Sequence, residues 1–78
     1  MTVTVRYWAG ARRAAGRREE QVTASDLRAL RAVLSERATL APVLAASSLL
    51  VDGTAPTSDD APLPDGAVVD VLPPFAGG

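Results

Sequence analysis

The chain has 78 residues, 47% of them hydrophobic and 22% charged, a composition that suits one small folded domain and not a disordered protein. It contains neither cysteine nor histidine, which excludes disulfides, thiolate nucleophiles and imidazole chemistry. Its formal net charge is -1 and its basic residues, all arginine, are spread along the chain, so no basic patch indicates binding to nucleic acid or to an anionic membrane.

No stretch of the sequence has the length and hydropathy of a membrane helix, which needs about 18 consecutive apolar residues. The first ten residues, MTVTVRYWAG, also lack the basic start and apolar middle of a signal peptide. These features predict a cytoplasmic protein.

The first predicted element is a β-strand over residues 2–8, whose side chains alternate between two faces. Val3, Val5 and Tyr7 fall on one face, and this β-branched and aromatic content is typical of a strand. A glycine-bounded turn or short helix follows over residues 9–16. A polar second strand over residues 17–22 is expected to pair with the first in a hairpin-like unit.

The clearest helix signal comes next. Thr23 is a suitable N-cap, and Asp26 three residues later resembles a capping box. A leucine stripe at helical spacing then predicts a buried face, formed by Leu27, Leu30 and Leu34. The pattern predicts one amphipathic helix from about residue 24 to residue 37.

The second half of the chain alternates apolar runs with turns. Residues 39–47 contain a proline that either opens a short second helix or breaks a loop. Residues 48–53 predict a strand that closes on an Asp-Gly turn, and residues 67–72 predict the last strand. A Pro/Asp/Gly-rich connection with one short strand lies between them. This order predicts an α+β fold, a sheet with one main helix on one face.

At this point three stretches resemble one family. Residues 5–16, VRYWAGARRAAG, are similar to the V-x-Y-F-A-x-x-R-x-x-x-G start of the ubiquitin-like sulfur carriers that form the small subunit of molybdopterin synthase, with Trp8 in place of the usual phenylalanine. VDGTAP at 51–56 resembles their central turn, and LPDGAVVDVLPPFAGG at 63–78 resembles their closing strand and tail. The resemblance implies a mixed-sheet β-grasp domain over residues 1–74 and a flexible reactive tail over residues 75–78.

The tail carries the chemistry that the resemblance implies. An adenylating enzyme of the type that activates ubiquitin-like proteins uses ATP to activate the Gly78 carboxylate, and a persulfide sulfur donor then converts it to a thiocarboxylate. Gly77 and Gly78 lack a Cβ and suit a narrow tunnel in a partner, and Ala76 keeps the chain slim. Pro73 and Pro74 favour an extended chain, and Phe75 is a candidate anchor. The chain itself is expected to bind no cofactor.

The resemblance also implies a partner, the large subunit of molybdopterin synthase, which holds a cyclic pyranopterin monophosphate and the acid-base residues. This chain is then a covalent sulfur donor and not an enzyme. Since the first and last strands are neighbours in the β-grasp fold, Trp8, Val68 and Leu72 are expected to form an exposed apolar patch, with Arg6 and Asp70 as a charged pair beside it. The alternative is that Trp8 folds over the strand edge as part of the core.

Other functions stay open from the sequence. The sulfur acceptor is alternatively thiamine thiazole, cysteine, a tRNA or another metabolite. The chain is alternatively a ubiquitin-like modifier joined through Gly78 to lysines of other proteins, or an interaction module with an inert tail. Two polar groups are interpreted as ordinary surface: the arginines of residues 12–18 beside Glu19 and Glu20 as a solvated hairpin, and Asp59 and Asp60 as loop carboxylates with too few companions to bind a metal.

Overall fold

Four strands form one mixed sheet in a computed structural model that describes residues 1–74. The strands are β1 (Thr2–Tyr7), β2 (Glu19–Thr23), β3 (Ser48–Val51) and β4 (Val68–Leu72), and their order across the sheet is β2-β1-β4-β3. β1 pairs antiparallel with β2 and parallel with β4, and β3 pairs antiparallel with β4. The predicted reactive tail, residues 75–78, lies outside the described residues.

One face of the sheet is buried, as the alternation in β1 predicts. The side chains of Val3, Val5 and Tyr7 are almost completely buried, and so are Val69 and Val71 of β4. Because β1 and β4 are adjacent, these residues form one apolar layer beneath the helices. The face of the first strand that the sequence groups together, Val3, Val5 and Tyr7, is therefore confirmed as one side of the sheet, and it is the buried side.

The main helix, α2 (Leu27–Leu34), is shorter than predicted and begins later. Its N-cap is Asp26, whose side chain accepts a hydrogen bond from the backbone N–H of Ala29 at 2.7 Å. The prediction of Thr23 as N-cap is wrong, because Thr23 is the last residue of β2 and lies opposite Thr2 of β1. The predicted buried face is correct: Leu27, Leu30 and Leu34 are fully buried.

Two short helices complete the fold. α1 (Gly10–Ala15) occupies the segment predicted as a turn or short helix, and it ends on Gly16 in the left-handed conformation, φ 76°. α3 (Ala41–Ala46) resolves the alternatives for residues 39–47 in favour of a helix, with the proline in its first turn. Ala11 of α1 and Leu44 of α3 both enter the core.

The connection from β3 to β4 contains no further strand of the sheet among the described residues, so the expected short strand is absent there. Only isolated bridges occur, Val51 with Thr54 and Asp26 with Pro62. This connection contains Pro56, Pro62 and Pro64, and proline has no backbone N–H to donate to a strand ladder. Ion pairs fasten it to α2 instead: Arg28 contacts Asp60 at 2.9 Å and Arg31 contacts Asp59 at 3.1 Å.

Glu20 corrects the interpretation of the hairpin as fully solvated. Its side chain is only 10% exposed, accepts a hydrogen bond from the Tyr7 hydroxyl at 2.5 Å and pairs with Arg37 just after α2. Burial raises the pKa of Glu20, but the hydrogen bonds from Arg37 and Tyr7 outweigh burial and leave the pKa below its ordinary value. Glu20 therefore links β1, β2 and the end of α2 within the fold.

A mixed sheet that carries its main helix on one face, with parallel first and last strands at its centre, is the ubiquitin-like β-grasp arrangement. The fold class expected from the sequence is therefore confirmed. Within residues 1–74, no helix combines the length and the hydropathy that crossing a bilayer requires.

Candidate functional site

The sheet face opposite the helices is not covered by any helix or strand within residues 1–74, and it contains the predicted interface residues. Parallel pairing places Arg6 beside Asp70, and antiparallel pairing places Leu50 on the other side of Asp70. Val68 and Leu72 lie on the same face of β4 by alternation. We call this surface, formed by Arg6, Trp8, Leu50, Val68, Asp70 and Leu72, the open face.

Asp70 is a buried charge at the centre of the open face, with a side chain only 10% exposed. Its Oδ1 accepts from Arg6 Nε at 2.7 Å and from Trp8 Nε1 at 2.9 Å, while its Oδ2 accepts from Arg6 Nη2 at 3.0 Å. The hydrogen bonds from Arg6 lower the pKa of Asp70, burial opposes this, and the hydrogen bond from Trp8 adds to the lowering. The expected Arg6–Asp70 pair is present, and it is bidentate.

Trp8 remains on the open face and does not fold into the core. Its side chain is held by Asp70, and the residue is 39% exposed. The Arg6 guanidinium carbon lies 5.6 Å from the centre of the indole ring, within the range of a cation–π contact. Arg6 and Trp8 therefore present one ordered surface, which Asp70 supports from behind.

Apolar side chains surround this polar centre. Val68, Leu72 and Leu50 are each half-buried and so keep part of their surface accessible. Sequence reasoning missed Leu50, although alternation in Ser48–Val51 places it opposite the buried Leu49. Its position beside Asp70 depends on the β3–β4 register, which sequence alone does not specify.

Beyond Leu72 the chain leaves the sheet through Pro73 and Pro74. These two prolines form one wall of a groove of about 940 Å³, and its other walls come from the start of α1 and from α3. Arg12 and Arg13 are on its rim. Phe75, Ala76, Gly77 and Gly78, the residues predicted to react or to enter a partner, lie outside the described residues, so their roles stay predictions.

The sequence profile of the ThiS family matches residues 5–78, which is nearly the whole chain. The chain belongs to the ThiS family. A search of curated protein sequences finds no significant match.

Solved structures agree with this family membership. Subunit 1 in a complex of subunits 1 and 2 of the molybdopterin-converting factor from Helicobacter pylori is 31% identical, with a TM-score of 0.82 and 100% of both chains covered. A Pyrococcus furiosus protein described as a molybdopterin converting factor, subunit 1, is 28% identical, with a TM-score of 0.86, 96% of this chain and 99% of that chain covered.

A third neighbour shows the fold alone. The small archaeal modifier protein 1 from Methanosarcina acetivorans has a TM-score of 0.82 over 99% of this chain and 96% of its own, but only 21% identity. Together these comparisons place the ThiS-family chain among the ubiquitin-like sulfur carriers and confirm the resemblance found in the sequence.

Proposed function

We propose that this ThiS-family protein is the sulfur-carrying small subunit of molybdopterin synthase. The observation that carries the proposal is its 31% identity, over 100% of both chains, to subunit 1 of the Helicobacter pylori molybdopterin-converting factor, which was solved in complex with subunit 2. The partner is then the large subunit of the synthase. The chain contributes a reactive terminus to that complex and is not itself the enzyme.

The proposed chemistry begins at the Gly78 carboxylate. A carboxylate is a poor electrophile, so an adenylating enzyme joins it to AMP and releases pyrophosphate from ATP. The terminal sulfur of a persulfide attacks the acyl carbon and AMP leaves, which forms an acyl disulfide. A second thiol then attacks the donor's own sulfur in this acyl disulfide. The attack forms a new disulfide with the donor, breaks the S–S bond to the acyl sulfur and releases the thiocarboxylate of Gly78.

Sulfur transfer returns the terminus to its starting state. The thiocarboxylate sulfur attacks a carbon of the cyclic pyranopterin monophosphate, forms a C–S bond and displaces the oxygen substituent of that carbon, which leaves as water or as a phosphate oxygen. Two such transfers, from two carrier molecules, supply the two sulfurs of a dithiolene. Water then cleaves the bond between that sulfur and the Gly78 acyl carbon, so that the sulfur stays on the pterin and a carboxylate is regenerated. The family resemblance assigns the acid-base groups for these steps to the large subunit.

The geometry supports the proposal at the base of the tail. β4 runs in the centre of the sheet and ends at Leu72, and Pro73 and Pro74 then connect it to the tail. Proline fixes φ, which lowers the entropy lost when an extended tail enters a partner's tunnel. We therefore divide the chain into a β-grasp domain over residues 1–74 and a reactive tail over residues 75–78. We expect it to act in the cytoplasm, where ATP-dependent activation occurs.

Intact mass spectrometry tests the carrier function. The protein is incubated with an adenylating enzyme from the same organism, ATP, a cysteine desulfurase and cysteine, and the mass is expected to increase by the exchange of one oxygen for sulfur. Two control variants lack a terminal Gly78 carboxylate: one has Gly78 deleted, and the other has one alanine added after Gly78. Neither is expected to gain mass.

A second step tests the acceptor. The thiocarboxylated protein is mixed with the large subunit and cyclic pyranopterin monophosphate, and loss of the added sulfur together with formation of a dithiolene product supports the synthase assignment. A mass gain without transfer to the pterin would assign the carrier to another acceptor. Conjugates to lysines of other proteins, without a thiocarboxylate, would instead establish a modifier.

A further inference from the structure

A hollow of about 240 Å³ lies at the edge of the open face, beside the Arg6–Asp70 pair. Its lining comes from β1, from the start of β2, from α1 and from the segments on either side of α1: Arg6, Tyr7, Trp8, Arg12, Arg18 and Glu19. Three arginines face one glutamate there. The lining therefore keeps a net positive charge even when Asp70, which lies behind Arg6, is included.

Arg6 is the best-positioned donor of this hollow. Its Nε and Nη2 are held by the two oxygens of Asp70, and within residues 1–74 its Nη1 has no hydrogen-bond acceptor. Asp70 also accepts a hydrogen bond from Trp8, so both of its carboxylate oxygens have donors within the protein. The arrangement keeps Arg6 and the Trp8 ring in place and leaves a charged N–H edge of Arg6 directed away from Asp70.

We propose that this hollow binds a carboxylate side chain of the molybdopterin synthase large subunit, with Arg6 as the main donor and Asp70 as the positioning residue that holds Arg6 and Trp8. The inference rests on the proposed function, because that function supplies the partner. It adds to that function a polar contact beside the apolar part of the open face.

The length of the tail places the partner against this surface. Four residues follow Pro74, and a fully extended chain of four residues spans at most about 14 Å. A partner that brings Gly78 into its active site must therefore lie close to Pro74 and to the end of the sheet where β1 and β4 finish. Trp8 follows the last residue of β1, and Leu72 is the last residue of β4, so both are at this end.

The chemistry of the hollow favours a carboxylate. Arginine binds carboxylates through planar, charge-assisted hydrogen bonds, and the positive lining attracts an anion before contact is made. Arg12 and Arg18 are exposed, so they add charge without a fixed geometry. Glu19, the cross-strand neighbour of Arg6, opposes the same anion.

Calorimetric titration with the large subunit of the same organism tests the proposal on full-length variants whose folding is confirmed by circular dichroism. Arg6→Ala is expected to raise Kd about tenfold, and Arg6→Lys is expected not to restore it, since lysine lacks the planar fork. Asp70→Asn is expected to raise Kd by a similar factor, and to add little when Arg6 is already alanine. Glu19→Gln is expected to lower Kd.

Arg28→Ala is the matched control, because Arg28 is an exposed arginine of α2 that pairs with Asp60 of the β3–β4 connection, away from the open face. Its Kd is expected to equal that of the wild type. Raising the salt concentration from about 0.05 M to about 0.5 M is expected to weaken the wild type more than Arg6→Ala, since screening acts on the charge pair that the variant lacks.

Two results would overturn the inference while the proposed function stands. In the first, the wild type binds the large subunit and both Arg6→Ala and Asp70→Asn bind it with the same Kd. In the second, the losses of binding free energy in the two single variants add up in the double variant. If Asp70→Asn does not fold, Trp8→Phe replaces it, since this change removes the hydrogen bond and keeps an aromatic ring. Failure of the wild type itself to bind would instead reject the synthase assignment, and the inference with it.

Discussion

Glu20 shows how one largely buried carboxylate connects distant parts of the chain. It accepts hydrogen bonds from Tyr7 and Arg37, and its side chain is 10% exposed. Glu20→Gln removes the negative charge that pairs with Arg37 and strengthens the hydrogen bond from Tyr7. We therefore expect the free energy of unfolding, measured by urea denaturation, to fall by about 2 kcal/mol. Glu19→Gln, at the exposed neighbouring position, is expected to change it by less than about 0.5 kcal/mol.

Equal effects of the two substitutions would contradict this assignment, because the Glu20 side chain is largely shielded from solvent and Glu19 is exposed. Part of the result was available in the sequence, since alternation places Glu20 on the same side of β2 as the buried Val22. Its partner was not, because Arg37 is 17 residues away and its position depends on where α2 ends. Alternation thus predicts that such a residue is shielded from solvent. Its contacts depend on the path of the chain after α2, which the local sequence does not specify.

The start of α2 distinguishes the predicted cap from the observed one. Asp26 accepts a hydrogen bond from the Ala29 N–H, so Asp26→Ala is expected to lower the free energy of unfolding by about 1 kcal/mol. Thr23→Ala is expected to have a much smaller effect, since Thr23 is an exposed residue at the end of β2. Chemical denaturation of both variants compares them directly, and a larger loss for Thr23→Ala would mean that the helix begins where the sequence predicted.

Element boundaries were harder to predict than element faces, for a physical reason. Thr23 and Asp26 are both good N-caps, and local propensity does not choose between them. Strand pairing makes the choice: Thr23 lies opposite Thr2, and the backbone N–H of Ala24 donates to the Met1 carbonyl at 2.9 Å. The buried stripe of α2 needed no such information, because the spacing of its leucines depends only on the helical repeat.

The candidate site depends on the topology of the whole molecule. Arg6 and Asp70 are 64 residues apart in the sequence, and only the parallel pairing of β1 with β4 brings them into contact. Alternation predicts which face each occupies, but the pairing of the first and last strands came from the family resemblance. The hydrogen bond from the Trp8 indole to Asp70 was not predicted, because it depends on the path of the chain after β1 ends. At that point the chain still follows β4, and the backbone N–H of Trp8 donates to the Val71 carbonyl at 3.3 Å.

Glu20 and Asp70 are the two carboxylates through which we expect the stability of the domain to depend most on pH. Each side chain is only 10% exposed, whereas Asp60, whose pKa is also lowered by its arginine, is exposed, so that its ion pair contributes little. The chain contains no histidine or cysteine, so no side chain with an ordinary pKa between about 5 and 8 is present, and we expect the urea midpoint to be nearly constant across that range. Below it, the pKa values of Glu20 and Asp70 are lower in the folded state than their ordinary values. Their contribution to stability is complete above the ordinary carboxyl pKa values, near 4, and is lost as the pH falls through the lowered folded-state values. The urea midpoint is therefore expected to fall steeply in acid. The fall is expected to be less steep in a Glu20→Gln/Asp70→Asn double variant, which lacks both carboxylates. A wild-type midpoint that stays constant down to about pH 2 would show that neither carboxylate is stabilised by its arginine.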